Sequence, residues 1–160
     1  MSKGKKIHKV TRSTNTIKNL TPFLPNHIFV ARTPDRGRGV FTSKNIKKGT
    51  VIEVAPMIVF GEKDRLIIND TFLYEYYFEW GDRGRKGALA LGFGSLYNHS
   101  YTPNAKYNPD FDLNVLEFEA HRDIKAGEEI TVNYNLDPDD ATPVWWEREK
   151  IKPKNKKQHP

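Results

Sequence analysis

The sequence contains no cysteine. This absence excludes a disulfide-stabilised scaffold, a zinc site with cysteine ligands and a catalytic thiol. The chain also lacks any apolar run close to the length of about 18 residues that spans a bilayer, and its first ten residues have no apolar core like that of a secretory signal. We therefore expect no membrane partner and a cytoplasmic location, with association to a nucleoid or nucleus left open.

The five histidines are widely spaced, at positions 8, 27, 99, 121 and 159. Metal sites commonly use closely spaced ligand pairs, so the sequence predicts no metal site. A serine-centred catalytic triad is not indicated either, because the segment around Ser95 lacks the Gly-x-Ser-x-Gly turn that such enzymes use.

The 160 residues suffice for one domain with a proper core. Their net charge of +6 is unevenly distributed, because residues 1–20 hold six basic and no acidic residues, and residues 147–160 hold six basic and two acidic ones. The residues between these ends hold 14 basic and 18 acidic residues. We therefore expect a basic N-terminal extension (1–25), an acidic domain (26–146) and a basic C-terminal tail (147–160). The basic ends could contact nucleic acid weakly or simply be solvated termini.

Short runs of β-favouring residues closed by Gly, Pro, Asn or Asp dominate the middle of the chain, and they predict strands at 40–41, 51–54, 57–60, 114–118 and 130–134. The fold class is therefore expected to be mainly β, within the β-rich α+β class. Two segments, 45–52 and 123–130, share an isoleucine, a basic residue and a glycine before a strand, which predicts positive φ at Gly49 and Gly127. The aromatic segment 71–80 fits a short helix or an irregular segment.

Three segments occur in a fixed order along the chain. The first is Arg36-Gly37-Arg38-Gly39-Val40-Phe41, the second is Asn98-His99-Ser100 followed by Pro103-Asn104-Ala105, and the third covers residues 127–134. Together they resemble the SET domain family of S-adenosylmethionine-dependent protein lysine methyltransferases, and residues 92–100 especially resemble its small stand-alone viral and bacterial members. The resemblance covers about residues 26–136. It implies several small β-sheets, with the Asn98-His99 segment and the final strand packed together in a knot-like crossing near the C-terminus.

The resemblance also implies roles for individual residues. Tyr134 would be the catalytic residue, with its hydroxyl beside the transferring methyl group, where it can orient the lysine amine. The cofactor S-adenosyl-L-methionine would be bound by Gly37, Arg38, Gly39, Asn98, His99 and Tyr134. Purely structural roles stay open at this stage, such as an ordinary hairpin turn for the glycines and core hydrogen bonding for His99.

The substrate lysine would reach the cofactor through an apolar channel, for which Tyr76, Tyr97 and Trp145 are candidate wall residues. Many family members complete this channel with a cysteine-rich zinc module, which a chain without cysteine cannot build. Tyr76 and the segment 144–146 are therefore candidates to close it. Tyr97 could instead face only the core, and the paired tryptophans could act as a hydrophobic anchor.

The expected activity is methyl transfer from S-adenosylmethionine to a lysine ε-amine, in a basic and histone-like protein substrate. Residues 108–140 hold ten acidic residues and two basic ones, and this excess would steer a cationic substrate, although a merely solvated acidic face is equally open. The alternative function is a non-catalytic SET-fold binding module whose basic tails contact nucleic acid or chromatin. A weaker alternative is a nucleic-acid binder built on the Arg-Gly clusters at 36–39 and 83–85.

Overall fold

The computed structural model describes residues 23–147. This part of the chain contains the α-helix α1 (Glu62–Ile68), helical residues at 145–147, short 3₁₀ helices at Phe72–Glu75, Asp82–Gly84 and Gly94–Leu96, and nine strands. The strands are β1 (Ile28–Arg32), β2 (Arg38–Thr42), β3 (Val51–Phe60), β4 (Tyr77–Trp80), β5 (Lys86–Ala90), β6 (Asn98–His99), β7 (Ala105–Asp110), β8 (Val115–Ala120) and β9 (Glu129–Val132). The predicted mainly β class is confirmed.

Most of the predicted basic extension and tail lies outside the described residues, so the division of the chain into three parts stays a prediction. Phe23 already pairs with Val54 through two backbone hydrogen bonds of 3.1 Å. No helix within residues 23–147 has the length and apolarity that crossing a membrane requires.

The strands form two sheets, with the orders β1-β2-β9-β6 and β4-β5-β3-β8-β7. Strand β9 lies between β2, to which it is antiparallel, and β6, to which it is parallel. In this pairing Asn98 lies opposite Thr131 and His99 lies opposite Val132. The close packing of the Asn98-His99 segment against the final strand, which the family resemblance implied, is confirmed.

The long central strand β3 joins two strands that the sequence predicted separately. Proline is unusual in a central strand because it cannot donate a ladder hydrogen bond. The carbonyl of Pro56 accepts from the N–H of Leu91, just beyond the end of β5, and pairing of β3 with β5 begins only at Met57. Pro56 has no N–H to donate back to Leu91, so the β3–β5 ladder ends at this position. The N–H of Met57 continues the bonding on the other side of β3 by donating to the carbonyl of Asn114 at 2.9 Å.

The two similar segments at 45–52 and 123–130 form similar turns. Gly49 has a φ of 82° and Gly127 a φ of 86°, so the predicted positive φ values are confirmed. Ile46 and Ile124 pair with each other through two antiparallel hydrogen bonds of 2.8 Å, and both side chains are buried. The pairing of the two turns thus holds the chain that leaves β2 beside the chain that enters β9.

Candidate active site

A cavity of about 930 Å³ opens beside the end of the β1–β2 hairpin. Its wall includes six of the residues that the sequence singled out, namely Gly37, Arg38, Tyr76, Asn98, His99 and Tyr134. They come from all three sequence motifs and from the segment that follows the Phe72–Glu75 helix. The order of the smaller sheet explains this convergence, because β9 brings the third motif between the first and the second.

Tyr134 is fixed at the cavity wall by both its backbone and its side chain. Its hydroxyl donates to the carbonyl of Tyr97 at 2.8 Å, and its backbone N–H donates to Nδ1 of His99 at 3.1 Å. Burial raises the pKa of the Tyr134 phenol above its usual 10.0, and the Glu75 carboxylate raises that pKa further. The hydroxyl therefore stays protonated at neutral and mildly alkaline pH, with oxygen lone pairs that can accept a hydrogen bond.

The side-chain amide of Asn98 has a fixed orientation. Its Nδ2 donates to the carbonyl of Arg38 at 3.0 Å and to Oε1 of Glu129 at 2.7 Å. An amide nitrogen carries two protons, and these two bonds use both of them. The Oδ1 atom is therefore the group that Asn98 can offer to a ligand, and it can only accept.

Glu129 and Arg36 join the three motifs, although the sequence analysis assigned neither of them a role in the site. The carboxylate of Glu129 contacts Nη2 of Arg36 at 2.5 Å, and Nη1 of Arg36 donates to the carbonyl of His99 at 3.1 Å. Glu128 points to the opposite side, where it pairs with Arg122 at 3.0 Å. The alternation of side chains along a strand predicts this divergence, but it does not identify the partners.

Gly37 and Gly39 serve different purposes. Gly37 has a φ of 73° and open space around it, so its contribution is a backbone conformation that other residues rarely adopt. A Cβ atom on Gly39 would lie 2.3 Å from Oε1 of Glu129 and 2.9 Å from Nδ2 of Asn98. Gly39 therefore leaves room for the hydrogen bond between Asn98 and Glu129.

The candidate channel residues occupy different positions. The side chain of Tyr97 is fully buried and its hydroxyl donates to Glu53 at 2.8 Å, which is the core position that the sequence left open. The ring of Trp145 stacks on that of Tyr134 with centroids 6.1 Å apart, while Trp146 and Tyr76 line the cavity. The tryptophan pair thus packs around Tyr134. Within residues 23–147, no three His, Asp or Glu side chains are placed to hold a metal ion.

Comparisons with known proteins agree with this geometry. The sequence pattern of the SET domain matches residues 37–135. A Schizosaccharomyces pombe histone-lysine N-methyltransferase, specific for H3 lysine-37, is 33% identical over 114 residues, which cover 71% of this chain and 76% of that protein. The Mus musculus histone-lysine N-methyltransferase NSD3 is 34% identical over 121 residues, which cover 68% of this chain and 8% of that protein.

A solved structure is similar as well. The crystal structure of a candidate histone methyltransferase from Plasmodium falciparum matches with a TM-score of 0.52 and 28% identity, covering 69% of this chain and 98% of that one. The chain therefore belongs to the SET domain family. The predicted class of enzyme, a protein-lysine N-methyltransferase, is confirmed.

Proposed function

We propose that this protein transfers a methyl group from S-adenosylmethionine to a lysine of a histone tail, with Tyr134 as the catalytic residue. The observation that carries the proposal is the hydroxyl of Tyr134, held by the Tyr97 carbonyl at the wall of the cavity where the three motifs meet. Glycine, asparagine and histidine from the other two motifs line the same cavity.

The residues of the cavity fit this cofactor. A volume of about 930 Å³ lies within the range of about 300–1,000 Å³ that pockets for small ligands and cofactors occupy. The backbone at Gly37 is open, and Oδ1 of Asn98 is an acceptor that suits an α-ammonium group. Gly37, Arg38, Asn98 and His99 would hold the cofactor, and Gly39 would support Asn98. When bound, the cofactor supplies an electrophilic methyl group on a sulfonium.

The remaining requirement is a neutral and correctly directed lysine amine. The usual lysine pKa of about 10.4 leaves almost all of the substrate charged at neutral pH, and aromatic surfaces such as Tyr76 and Trp146 disfavour the charged form by desolvation. The oxygen of Tyr134 can accept a hydrogen bond from the amine while its own proton is directed to Tyr97. This contact would point the nitrogen lone pair at the methyl group, and alignment is the main demand of an in-line displacement.

The proposed mechanism predicts that activity rises from pH 7 to pH 9. Raising the pH increases the neutral fraction of the substrate lysine, whose pKa is about 10.4. The pKa of Tyr134 is raised above 10.0 by burial, so loss of its proton does not counteract the increase in this range. Single-turnover rates with a lysine peptide test this dependence, and a flat profile with chemistry rate-limiting would argue for a different nucleophile.

Asn98→Ala is expected to weaken cofactor binding by about three- to tenfold, because it removes one or two hydrogen bonds of about 0.5–1.5 kcal/mol each. Calorimetric titration with S-adenosylhomocysteine measures the effect. Asn45→Ala is the matched control, since Asn45 accepts a hydrogen bond from the N–H of Ala126 in a turn that does not line the cavity. If folded Asn98→Ala protein bound with unchanged affinity, the second motif would be purely structural.

The proposed substrate is a histone, with H3 as the first candidate. The names of the two curated relatives support a histone substrate, and the cavity carries the exposed carboxylate of Glu75 at its wall, which suits a cationic tail. A histone substrate would bring the protein to chromatin. Contact of the basic ends with nucleic acid stays a prediction, because those ends lie outside the described residues.

The Schizosaccharomyces pombe relative is itself a small protein. The 114 aligned residues make up 76% of that protein, which corresponds to about 150 residues. The named relatives come from eukaryotes, so the resemblance to viral and bacterial members stays a prediction.

Incubation with methyl-labelled S-adenosylmethionine and each purified core histone tests the function. We expect label on H3, and replacing its lysines one by one with arginine would locate the target. Label on other basic proteins but on no histone would contradict the substrate part of the proposal. Absence of label on every protein, with cofactor bound, would contradict the catalytic part.

A further inference from the structure

We propose that Arg32 and Arg38 together bind the carboxylate of the cofactor's methionine portion. The inference rests on the proposed function, since it takes S-adenosylmethionine as the ligand of the cavity. Arg32 belongs to no motif of the sequence analysis.

The two arginines lie directly opposite each other at the turn end of the β1–β2 hairpin, where the turn of residues 33–37 joins the two strands. Like charges in directly opposed positions of an antiparallel pair destabilise it. Neither side chain forms a salt bridge with any residue in the part of the chain that the structure describes. In the free protein this pairing is therefore unfavourable, and a bound anion would relieve it.

Both arginines are directed toward the cavity. Residues at every second position of a strand lie on the same face of the sheet. Arg32 therefore lies on the same face as Ile28, and Arg38, directly opposite Arg32, lies on that face together with Val40. Ile28 and Val40 are buried, whereas Arg32 and Arg38 at the end of this face are exposed and line the cavity. The third arginine of the cavity wall, Arg36, is already neutralised by Glu129.

The groups at the cavity wall suit an anion that is part of an α-amino acid. Nδ2 of Asn98 donates to the backbone carbonyl of Arg38 at 3.0 Å, and Asn98, with its acceptor Oδ1, lines the same cavity as the arginine pair. An acceptor beside two cations matches a zwitterion, with the ammonium at Asn98 and the carboxylate at the guanidinium groups. Arginine suits the second role because its planar donor fork matches the geometry of a carboxylate.

The test compares S-adenosylmethionine with its decarboxylated form, which lacks only the carboxylate. Arg32→Gln and Arg38→Gln are each expected to weaken binding of S-adenosylmethionine by about fivefold at low salt, the size of an exposed ion pair of about 1 kcal/mol. The double variant is expected to lose about tenfold or more, and added salt should reduce the difference. Binding of the decarboxylated ligand should be unchanged or tighter, because that ligand is repelled by the arginines.

Arg85→Gln is the matched control, since Arg85 is exposed and does not line the cavity.

Arg32→Gln should also raise the melting temperature of the ligand-free protein while reducing the increase in melting temperature that S-adenosylhomocysteine produces. Equal weakening of both ligands in the double variant, or no weakening of either, would overturn the inference and leave the proposed function intact. If the wild-type protein bound neither ligand, the proposed function would be wrong and this inference with it.

Discussion

Tyr134→Phe is expected to lower kcat by at least about tenfold, with little change in cofactor affinity, because it removes the hydroxyl oxygen that we propose orients the lysine amine. The ring remains, and with it the stacking on Trp145 and the contact with His99. The backbone hydrogen bond from Tyr134 to His99 also remains. Single-turnover methylation of a lysine peptide at saturating cofactor measures the loss of rate directly.

The same substitution leaves the carbonyl of Tyr97 without its 2.8 Å donor. A buried polar group that loses its partner costs about 1–3 kcal/mol, so a modest loss of stability should accompany the loss of activity. Tyr77→Phe separates the two effects, because Tyr77 is buried and its hydroxyl donates to Asn69 at 2.6 Å, but Tyr77 does not line the cavity. If both variants kept the wild-type rate, Tyr134 would have no part in the chemistry.

Gly39→Ala is expected to lower cofactor affinity by about tenfold or more and to destabilise the fold by about 1–3 kcal/mol, the usual cost of overpacking. The added methyl group would meet Glu129 and Asn98, and both must move to admit it. The displacement breaks the hydrogen bond that directs Oδ1 of Asn98. Calorimetry with S-adenosylhomocysteine and denaturant unfolding measure the two effects separately.

Gly49→Ala provides the control for Gly39→Ala. Gly49 has a φ of 82° and nothing within 4 Å of an added Cβ, so an alanine there suffers backbone strain of about 1–2 kcal/mol without steric contact. The two variants should lose comparable stability, and only Gly39→Ala should lose cofactor affinity. Equal affinities in the two variants would mean that Asn98 and Glu129 tolerate displacement.

Strands were predictable from the sequence where one face is buried and the other is exposed. Strand β4 was missed because all four of its residues, Tyr77–Trp80, are buried, which removes the alternation and leaves an aromatic run that also fits helical spacing. The conformations of Gly49 and Gly127 were predictable because a tight turn before a strand favours positive φ. The continuity of β3 through Pro56 was not predictable from the sequence, since it depends on where the neighbouring strand β5 ends.

The motif residues of the site came from a family resemblance, and the structure brings most of them to one cavity. The pairing of Arg36 with Glu129 joins residues 93 positions apart, and local patterns carry no information on such a contact. The role of Tyr97 was equally inaccessible, because its backbone carbonyl faces Tyr134 while its ring enters the core. Orientation of this kind is set by tertiary packing.

The position of β9 between β2 and β6 has a consequence for synthesis of the protein on the ribosome. Glu129, the first residue of β9, follows Thr42, the last residue of β2, by 87 positions. At a synthesis rate of about 5–20 residues per second, β9 is therefore made on the order of ten seconds after the β1–β2 hairpin. During this time β2 presents an unpaired edge, which is a template for pairing with other chains. A nascent chain that stops before residue 129 would contain every strand of the larger sheet but would lack a complete cofactor site. Methyltransferase activity would therefore be found only in chains whose synthesis has continued through β9.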